Sequence, residues 1–495
     1  MQNNSRKEMK KKVARTIKWT AIDRIVTVVM NVVTGIALAN ILPKEDFGLV
    51  AAILVFQAFA VLFVDNGFAT ALIQKKTCSR EEYSSALWFN ISMAVVVYII
   101  MFLCAPLIAK VFDNDTRLIP LGRVMFLTFV FNATAIVQTS RLYKMMSVKI
   151  VTAVNAFATI LSSGIALTLA TWGYGAWALV WQAIFLAASK SIGLWIAGGW
   201  RPIFKFSFSH IKGFFKVGSG MLGASFLNVL FGKVYGLIIG NRAGILPLSY
   251  YGQADKWSTM GVSNILSILT SSFLPALSSY QDQPEEFAAA TSKMNRFGSY
   301  IIMFALGLAI VIATPLFHIC FNEKWDGAII LFQLLLLRGV FVSLSSLYNN
   351  YIIARGHTKL IISTEIIRDI VALVAIALTL PYVTLSTPDE PTKGIAILLW
   401  GQIAAAIIAW LYTVYFAAKL SWRHWWTFFT DSLPYAATTI LALLPAGFLA
   451  RIMENEMALL ISQCATSIGL YLLLNHIAGS KIQKDVIAWI WKRKL

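Results

Sequence analysis

Charge is what this sequence has least of. Charged residues make up 13% of the 495, about half the share found in ordinary soluble chains. Acids are scarcest: 23 Asp and Glu stand against 42 Lys and Arg, a formal net charge of +19. With 58% hydrophobic residues and so few charges, the chain cannot solvate a surface on every side, which excludes a soluble globular protein. Cysteine is also scarce. Cys78, Cys104, Cys320 and Cys464 lie far apart, three of them in apolar runs, so neither a disulfide framework nor a metal site is expected. The histidines, His210, His318, His357, His424 and His476, are equally dispersed. No Ser or Cys nucleophile has a recognisable base partner, so the reading is of a non-enzyme without cofactor. The glycines from Gly218 to Gly223 open an apolar helix and follow no strand; they suit close helix packing better than a dinucleotide.

What is present is a succession of apolar runs long enough to cross a bilayer. They fall at roughly 18–41, 48–67, 84–112, 118–139, 150–171, 175–197, 217–241, 250–279, 297–320, 326–353, 359–381, 394–418, 433–452 and 457–477. This predicts an all-α polytopic membrane protein of about fourteen helices. The basic segment up to Lys18 runs straight into a full-length span and reads as a retained tail, not a cleaved leader. Beyond it, basic residues gather in alternate loops: Lys75, Lys76 and Arg80; Arg141, Lys144 and Lys149; Arg201, Lys205, Lys212 and Lys216; Lys293 and Arg296; Arg355 and Lys359; Lys419 and Arg423; and a C-terminal set ending Lys492, Arg493, Lys494. Such loops stay cytoplasmic, which puts both termini inside and makes the helix number even. The positive charge is therefore a topology signal, and nucleic acid is not an expected partner.

The sequence also repeats itself. Ile41-Leu42-Pro43 with Phe47-Gly48 recurs as Ile245-Leu246-Pro247 with Tyr251-Gly252, and Glu81-Glu82-Tyr83 recurs as Glu285-Glu286-Phe287. Further on, Ala105-Pro106-Leu107 matches Thr314-Pro315-Leu316. Both copies start on the same side, so the repeat is parallel, with its axis along the membrane normal. The expected organisation is a six-helix lobe over 1–200, a cytoplasmic interfacial linker over 201–216, a second six-helix lobe over 217–418, and two added helices with a tail over 419–495.

Several motifs carry a family resemblance. They are the basic tail leading into Trp19, the Leu42-Pro43 and Phe47-Gly48 turn, and Asp65-Asn66-Gly67-Phe68 followed by Ala71-Leu72-Ile73-Gln74. In these the chain resembles the multidrug/oligosaccharidyl-lipid/polysaccharide (MOP) exporter superfamily, and most nearly its Wzx-type polysaccharide-transporter branch. The resemblance implies a MATE-like fold in the bacterial inner membrane. It also implies a flippase carrying undecaprenyl-pyrophosphate-linked oligosaccharide to the periplasmic leaflet for O-antigen, capsule or exopolysaccharide. Membrane lipids, a polysaccharide polymerase and chain-length machinery are the implied partners. A multidrug exporter of the same fold and a peptidoglycan-precursor (lipid II) flippase are the alternatives. A glycosyltransferase is disfavoured, because the longest outside loop, 382–393, is too short for a catalytic site.

Ionisable groups inside spans cost on the order of 3 kcal/mol each and mark candidate sites. Arg24 sits beside a polar stripe of Thr20, Asp23, Thr27, Asn31 and Thr34, at spacings that put the stripe on one helix face. Gln253, Lys256, Thr259, Ser263 and Ser267 form a second stripe; Lys233 and Arg338 are further intramembrane cations. Arg24, Lys233, Lys256 and Arg338, with Asn31 and Gln253, are therefore the expected pyrophosphate- and glycan-binding residues, since guanidinium and ammonium groups suit phosphate oxygens. Asp23, Glu365 and Asp369 are the candidates for ion coupling, with a local cluster around Arg368 as the plainer reading of the last two.

Overall fold

In lipid every backbone polar group must be satisfied within the protein, and helices do this locally. The computed structural model describes the backbone of residues 2–65, 68–75, 77–384 and 390–492. It describes side chains over the same residues except 2–15, 17, 65, 68–70, 213–224, 358, 486–487 and 489–492. The Asp65 side chain, the Asn66-Gly67 pair and the glycine-spaced segment 218–223 thus fall outside the described side chains. All regular structure in the described residues is helical. Two compact units divide the chain, Met1–Ser249 and Tyr250–Leu495.

The first unit contains α1 (Gln2–Ile41), α2 (Lys44–Asp65), α3 (Phe68–Gln74), α4 (Arg80–Val111), α5 (Leu118–Met125), α6 (Thr128–Lys144), α7 (Val148–Thr171), α8 (Ala176–Ala197) and α9 (Phe208–Arg242). The division falls near the start of α10 (Ile245–Ser278), and the second unit runs on through α11 (Pro284–Val311), α12 (Ala313–Phe321), α13 (Asp326–Ala354), α14 (Thr358–Val383), α15 (Lys393–Leu420), α16 (Trp425–Leu449) and α17 (Glu456–Ile477) to α18 (Lys481–Lys492). Among the described residues thirteen segments are long and apolar enough to cross a membrane, α5 and α6 together making one of them. Helix α9, at 35 residues, has the length for the fourteenth. Large apolar side chains such as Leu103 (68% exposed) and Ile196 (74% exposed) project from these helices. A surface of that kind needs lipid around it. The protein is a multi-pass membrane protein.

Repeat motifs sit at matching places in the two units. Glu81-Glu82-Tyr83 opens α4 and Glu285-Glu286-Phe287 opens α11, with Tyr83 and Phe287 buried. Both helices begin earlier than the apolar runs predict, because hydropathy ignores caps. Ser79 Oγ accepts from the Glu82 amide (3.1 Å) while Glu82 Oε2 accepts from the Ser79 amide (3.0 Å), a reciprocal cap. At α11 a proline at the first position fixes the entry.

The segment expected to be a linker is held down. Arg80 donates from Nε and Nη2 to the Arg201 carbonyl (3.2 and 3.1 Å), and Trp88 Nε1 donates to the Ile203 carbonyl (3.1 Å). The Ile203 and Ser207 amides donate to Ser84 Oγ and Ser85 Oγ, each at 3.0 Å. Residues 201–207 are thus stitched along α4.

Helix α9, which the repeat assigns to the second lobe, packs against α2, α3 and α4 in the first unit. The reason is close approach. A Cβ on Gly240 would lie 2.3 Å from the Phe112 ring; just beyond α9, at the start of α10, one on Gly48 of α2 would lie 2.2 Å from the Ile245 carbonyl oxygen. Asn241 Nδ2 adds a bond to the Val111 carbonyl (2.7 Å). The two added helices, expected as a separate 419–495 segment, belong to the second unit, where α16 packs on α11 and α17 on α16. Their anchor is polar. Asp431 Oδ1 accepts from Arg296 Nε (2.7 Å), and its Oδ2 accepts from Arg423 Nη2 (2.5 Å) and Ser292 Oγ (2.9 Å). Deeper along the same seam Tyr348 Oη donates to Asn295 Oδ1 (2.8 Å) and Ser299 Oγ to Ser432 Oγ (2.9 Å).

Helix α12 is clamped by a histidine. His318 Nδ1 lies 2.7 Å from Glu456 Oε1 at the start of α17, and Nε2 lies 3.0 Å from Asp326 Oδ1 at the start of α13. Burial alone would push the imidazole pKa down, but the Glu456 bond and the two carboxylate charges outweigh it and raise it above its ordinary value. The stabilisation from this raised pKa is therefore full below about pH 6.5 and fades as pH climbs through the raised value. Unfolding midpoints of wild type and His318→Gln should differ most at pH 5 to 6 and converge at alkaline pH; a constant gap would contradict this linkage.

Candidate functional site

Each unit holds its own intramembrane polar groups. In the first, a cavity of about 330 Å³ opens between α2, α3, α6 and α8. Its polar lining is Asn132, Thr139, Ser140 and Tyr143 from α6 and Lys190 from α8, against an apolar wall that includes Val61, Val64 and Phe129. Thr139 and Ser140 donate to helix carbonyls one turn back, so their oxygens keep lone pairs directed at the cavity's edge. The ammonium of Lys190 acts on the carboxylate of Asp23, and that carboxylate acts on Tyr143. Asn155 Nδ2 also donates to Asp23 Oδ1 (3.4 Å). Further support for α1 comes from α7: Thr152 Oγ1 donates to the Trp19 carbonyl (3.2 Å), and Lys149 lies 5.6 Å from the Trp19 ring centre. Asp23 is thus hydrogen-bonded to Asn155 and within electrostatic reach of Lys190 and Tyr143. Arg24 and Asn31 are exposed on α1, and Lys233 is half-buried on α9.

In the second unit Gln253 is buried, and its Oε1 accepts from Trp257 Nε1 (3.0 Å). Lys256 is exposed, with its ammonium 5.0 Å from the Trp257 ring centre, within cation–π range. Gln253 therefore orients the indole on which Lys256 rests. Asp255 Oδ1 accepts from Thr259 Oγ1 (3.4 Å) instead of pairing with Lys256. Arg338 is half-buried on α13. On the same helix Ser343 Oγ, Ser345 Oγ and Asn349 Oδ1 are buried without a hydrogen-bond partner among the described residues. On α14 the Arg368 guanidinium is shared: Nη1 lies 2.5 Å from Glu365 Oε2, and Nη2 lies 2.9 Å from Asp369 Oδ1. This is the local ion cluster that the spacing anticipates.

The cations differ in how they are compensated. Arg368 faces two carboxylates and Lys190 senses Asp23. Lys233, Lys256 and Arg338 have no ion pair among the described residues. Sequence reasoning missed Lys190, although the rule that singled out Arg24 applies to it equally: it is a lone ammonium in the run Ala187-Ala188-Ser189-Lys190-Ser191-Ile192. Asn132 and Asn155 were missed too, being uncharged in apolar helices.

A family model described as polysaccharide biosynthesis protein matches residues 37–330. The chain is similar to the teichuronic acid biosynthesis protein TuaB of Bacillus subtilis, at 24% identity over 71% of this chain and 73% of that one. It is likewise similar to the lipopolysaccharide biosynthesis protein WzxC of Escherichia coli, at 23% identity over 75% of each. Among solved structures, the lipid II flippase MurJ in an inward closed conformation superposes with a TM-score of 0.70 at 15% identity, covering 96% of this chain and all of that one. At that identity the match speaks for the fold. The chain belongs to the polysaccharide biosynthesis protein family.

Proposed function

We propose that the protein moves undecaprenyl-pyrophosphate-linked oligosaccharide across the bacterial inner membrane by alternating access, with both termini in the cytoplasm. The observation that carries this reading is the set of intramembrane cations without acidic partners, Lys233, Lys256 and Arg338. An uncompensated cation at membrane depth is costly, and an anionic ligand removes that cost. A pyrophosphate supplies about two negative charges and acceptor oxygens on every side. Arg24, Lys233, Lys256 and Arg338 are the residues assigned to it. Asn31, Asn132 and the hydroxyls of α6 and α13 offer partners to sugar hydroxyls, and Gln253 acts through Trp257 by holding Lys256 in place.

The family relation and the absence of paired catalytic groups in the sequence support a transporter, not an enzyme. Outward movement of a dianion is favoured by an inside-negative potential, at about 2.3 kcal/mol per charge per 100 mV. In this reading Asp23, beside Lys190, together with Glu365 and Asp369, supplies carboxylates for cation coupling. A polymerase and chain-length machinery would receive the product.

Deleting the gene in its host should cause lipid-linked glycan units to accumulate and the surface polymer to disappear, with wild type restoring both. Charge-assisted contacts are worth about 1.5–3 kcal/mol each. Lys256→Gln and Arg338→Gln should therefore lower complementation or vesicle transport by roughly ten- to a hundredfold at normal membrane abundance. Unchanged glycan with new sensitivity to cationic drugs would overturn the reading in favour of a multidrug exporter. Build-up of peptidoglycan precursor instead would point to the lipid II alternative.

A further inference from the structure

Where α11 meets α18 in the second unit, a cavity of about 480 Å³ is lined by Lys293, Arg296, Lys481 and Lys484 against one carboxylate, Asp485. Its chemistry lies outside the transport path argued above. Lys293 and Asp485 pair at 2.7 Å and neutralise each other, both well exposed. Arg296 gives Nε to Asp431, which it shares with Arg423, so one carboxylate serves two guanidiniums. Lys481 and Lys484 are exposed and make no ion pair among the described residues. The site therefore keeps surplus positive charge, with the terminal nitrogens of Arg296 and two ammoniums around one hollow. Its floor is apolar, formed by Ala289 and the buried Ile482.

The helix that supplies the two lysines is fixed to its neighbours. Gln483 is buried and donates from Nε2 to the Leu472 carbonyl (2.9 Å), tying the start of α18 to α17. In sequence α18 alternates Lys481, Lys484, Asp485 and Lys492 with Ile482, Val486, Ile487, Trp489, Ile490 and Trp491. That is the sequence pattern of a helix lying in a membrane interface. The cavity thus sits at the ends of two membrane-crossing helices, α11 and α17, beside an interfacial one. Basic pockets between helices at that level suit lipid phosphates.

We propose that this cavity binds the phosphodiester headgroup of an anionic phospholipid from the surrounding leaflet. Arg296 presents a planar donor pair to two phosphate oxygens while Lys481 and Lys484 act as point charges at the rim. The glycerol backbone lies over Ala289 and Ile482, and the acyl chains stay in the bilayer beside α11 and α17. Asp485 opposes the ligand, and its pairing with Lys293 limits that opposition. The assignment holds whichever substrate the protein transports.

The test uses the purified full-length protein exchanged into nanodiscs of equal phosphatidylglycerol and phosphatidylcholine, with co-retained lipid counted by native mass spectrometry. Wild type should retain phosphatidylglycerol over phosphatidylcholine by on the order of tenfold, a ratio two near-surface lysines can provide. Lys481→Gln with Lys484→Gln, both exposed and free of structural contacts that would compromise folding, should bring the ratio close to one. Asp485→Asn should raise it. Inorganic phosphate at millimolar concentration should leave the retained lipid in place. Unchanged enrichment in the double variant would overturn the site, and displacement of the lipid by inorganic phosphate would show a free-anion site instead.

Discussion

Asp431→Ala is expected to be the most destabilising single change in the second unit. The carboxylate is buried and answers to Arg296, Arg423 and Ser292 together. Removing it leaves two guanidiniums facing each other at the edge of the bilayer with a cavity between them. Breaking a buried ion pair from one side costs about 3–5 kcal/mol, enough to release α16 from α11. Thermal unfolding of the purified protein should show a large fall in midpoint and a matching loss of membrane abundance. Adding Arg423→Met should recover part of the loss, because one stranded charge goes with it. A wild-type midpoint for the single variant would mean that the cluster is solvated and does not hold the helices.

The second large effect is expected at Gly240, and it concerns motion. In the alternating-access reading, α9 moves with the second repeat, yet it packs on α2 and α4, with Gly240 against the Phe112 ring and the Asn241 bond at its end. By the proposed topology this contact closes the outer face. Gly240→Leu places a side chain where the Phe112 ring and Leu248 already lie, and overpacking of that kind costs about 1–3 kcal/mol. Such a penalty falls on the state in which these helices touch and shifts the population away from it by roughly 5- to 150-fold. Transport should fall severely while expression stays near normal. A cysteine introduced at Asn241 in a cysteine-free background should react several-fold faster with an impermeant maleimide applied from outside. Equal labelling with and without Gly240→Leu would remove the gate.

Most of the fold could be read from the chain because its signals are local or periodic. Apolar run length located the crossings, and the displaced copies of Ile41-Leu42-Pro43 and Glu81-Glu82-Tyr83 announced the duplication. Helix starts were read late, since the cap at Ser79 and the proline at Pro284 lie in polar sequence that hydropathy discounts. The placement of α9 could not be read at all. It depends on the absence of a side chain at Gly240, and spacing alone does not say what a missing Cβ will face. Of the proposed site, charge in an apolar run points to Arg24, Lys256 and Arg338, while the Glu365–Arg368–Asp369 cluster follows from helical spacing. Asp431 escaped because its arginine on α11 is 135 residues away. Lys190 is a lone ammonium in an apolar run like the others, but the charge it responds to, Asp23, lies on another helix and leaves no imprint on α8 itself.

The stitching of residues 201–207 to α4 has a mechanical meaning. A strand tacked at Arg201, Ile203 and Ser207 has no slack to pay out. The rope between α8 and α9 is therefore moored almost to its far end, and α9 starts from a fixed root instead of from a loose tether. The leash length, and with it the freedom of α9 at its root, is set by two serine hydroxyls, one guanidinium and one indole more than by the number of residues in the connection. Lengthening that connection by insertion would change little as long as the moorings hold; cutting the moorings would lengthen it without adding a residue.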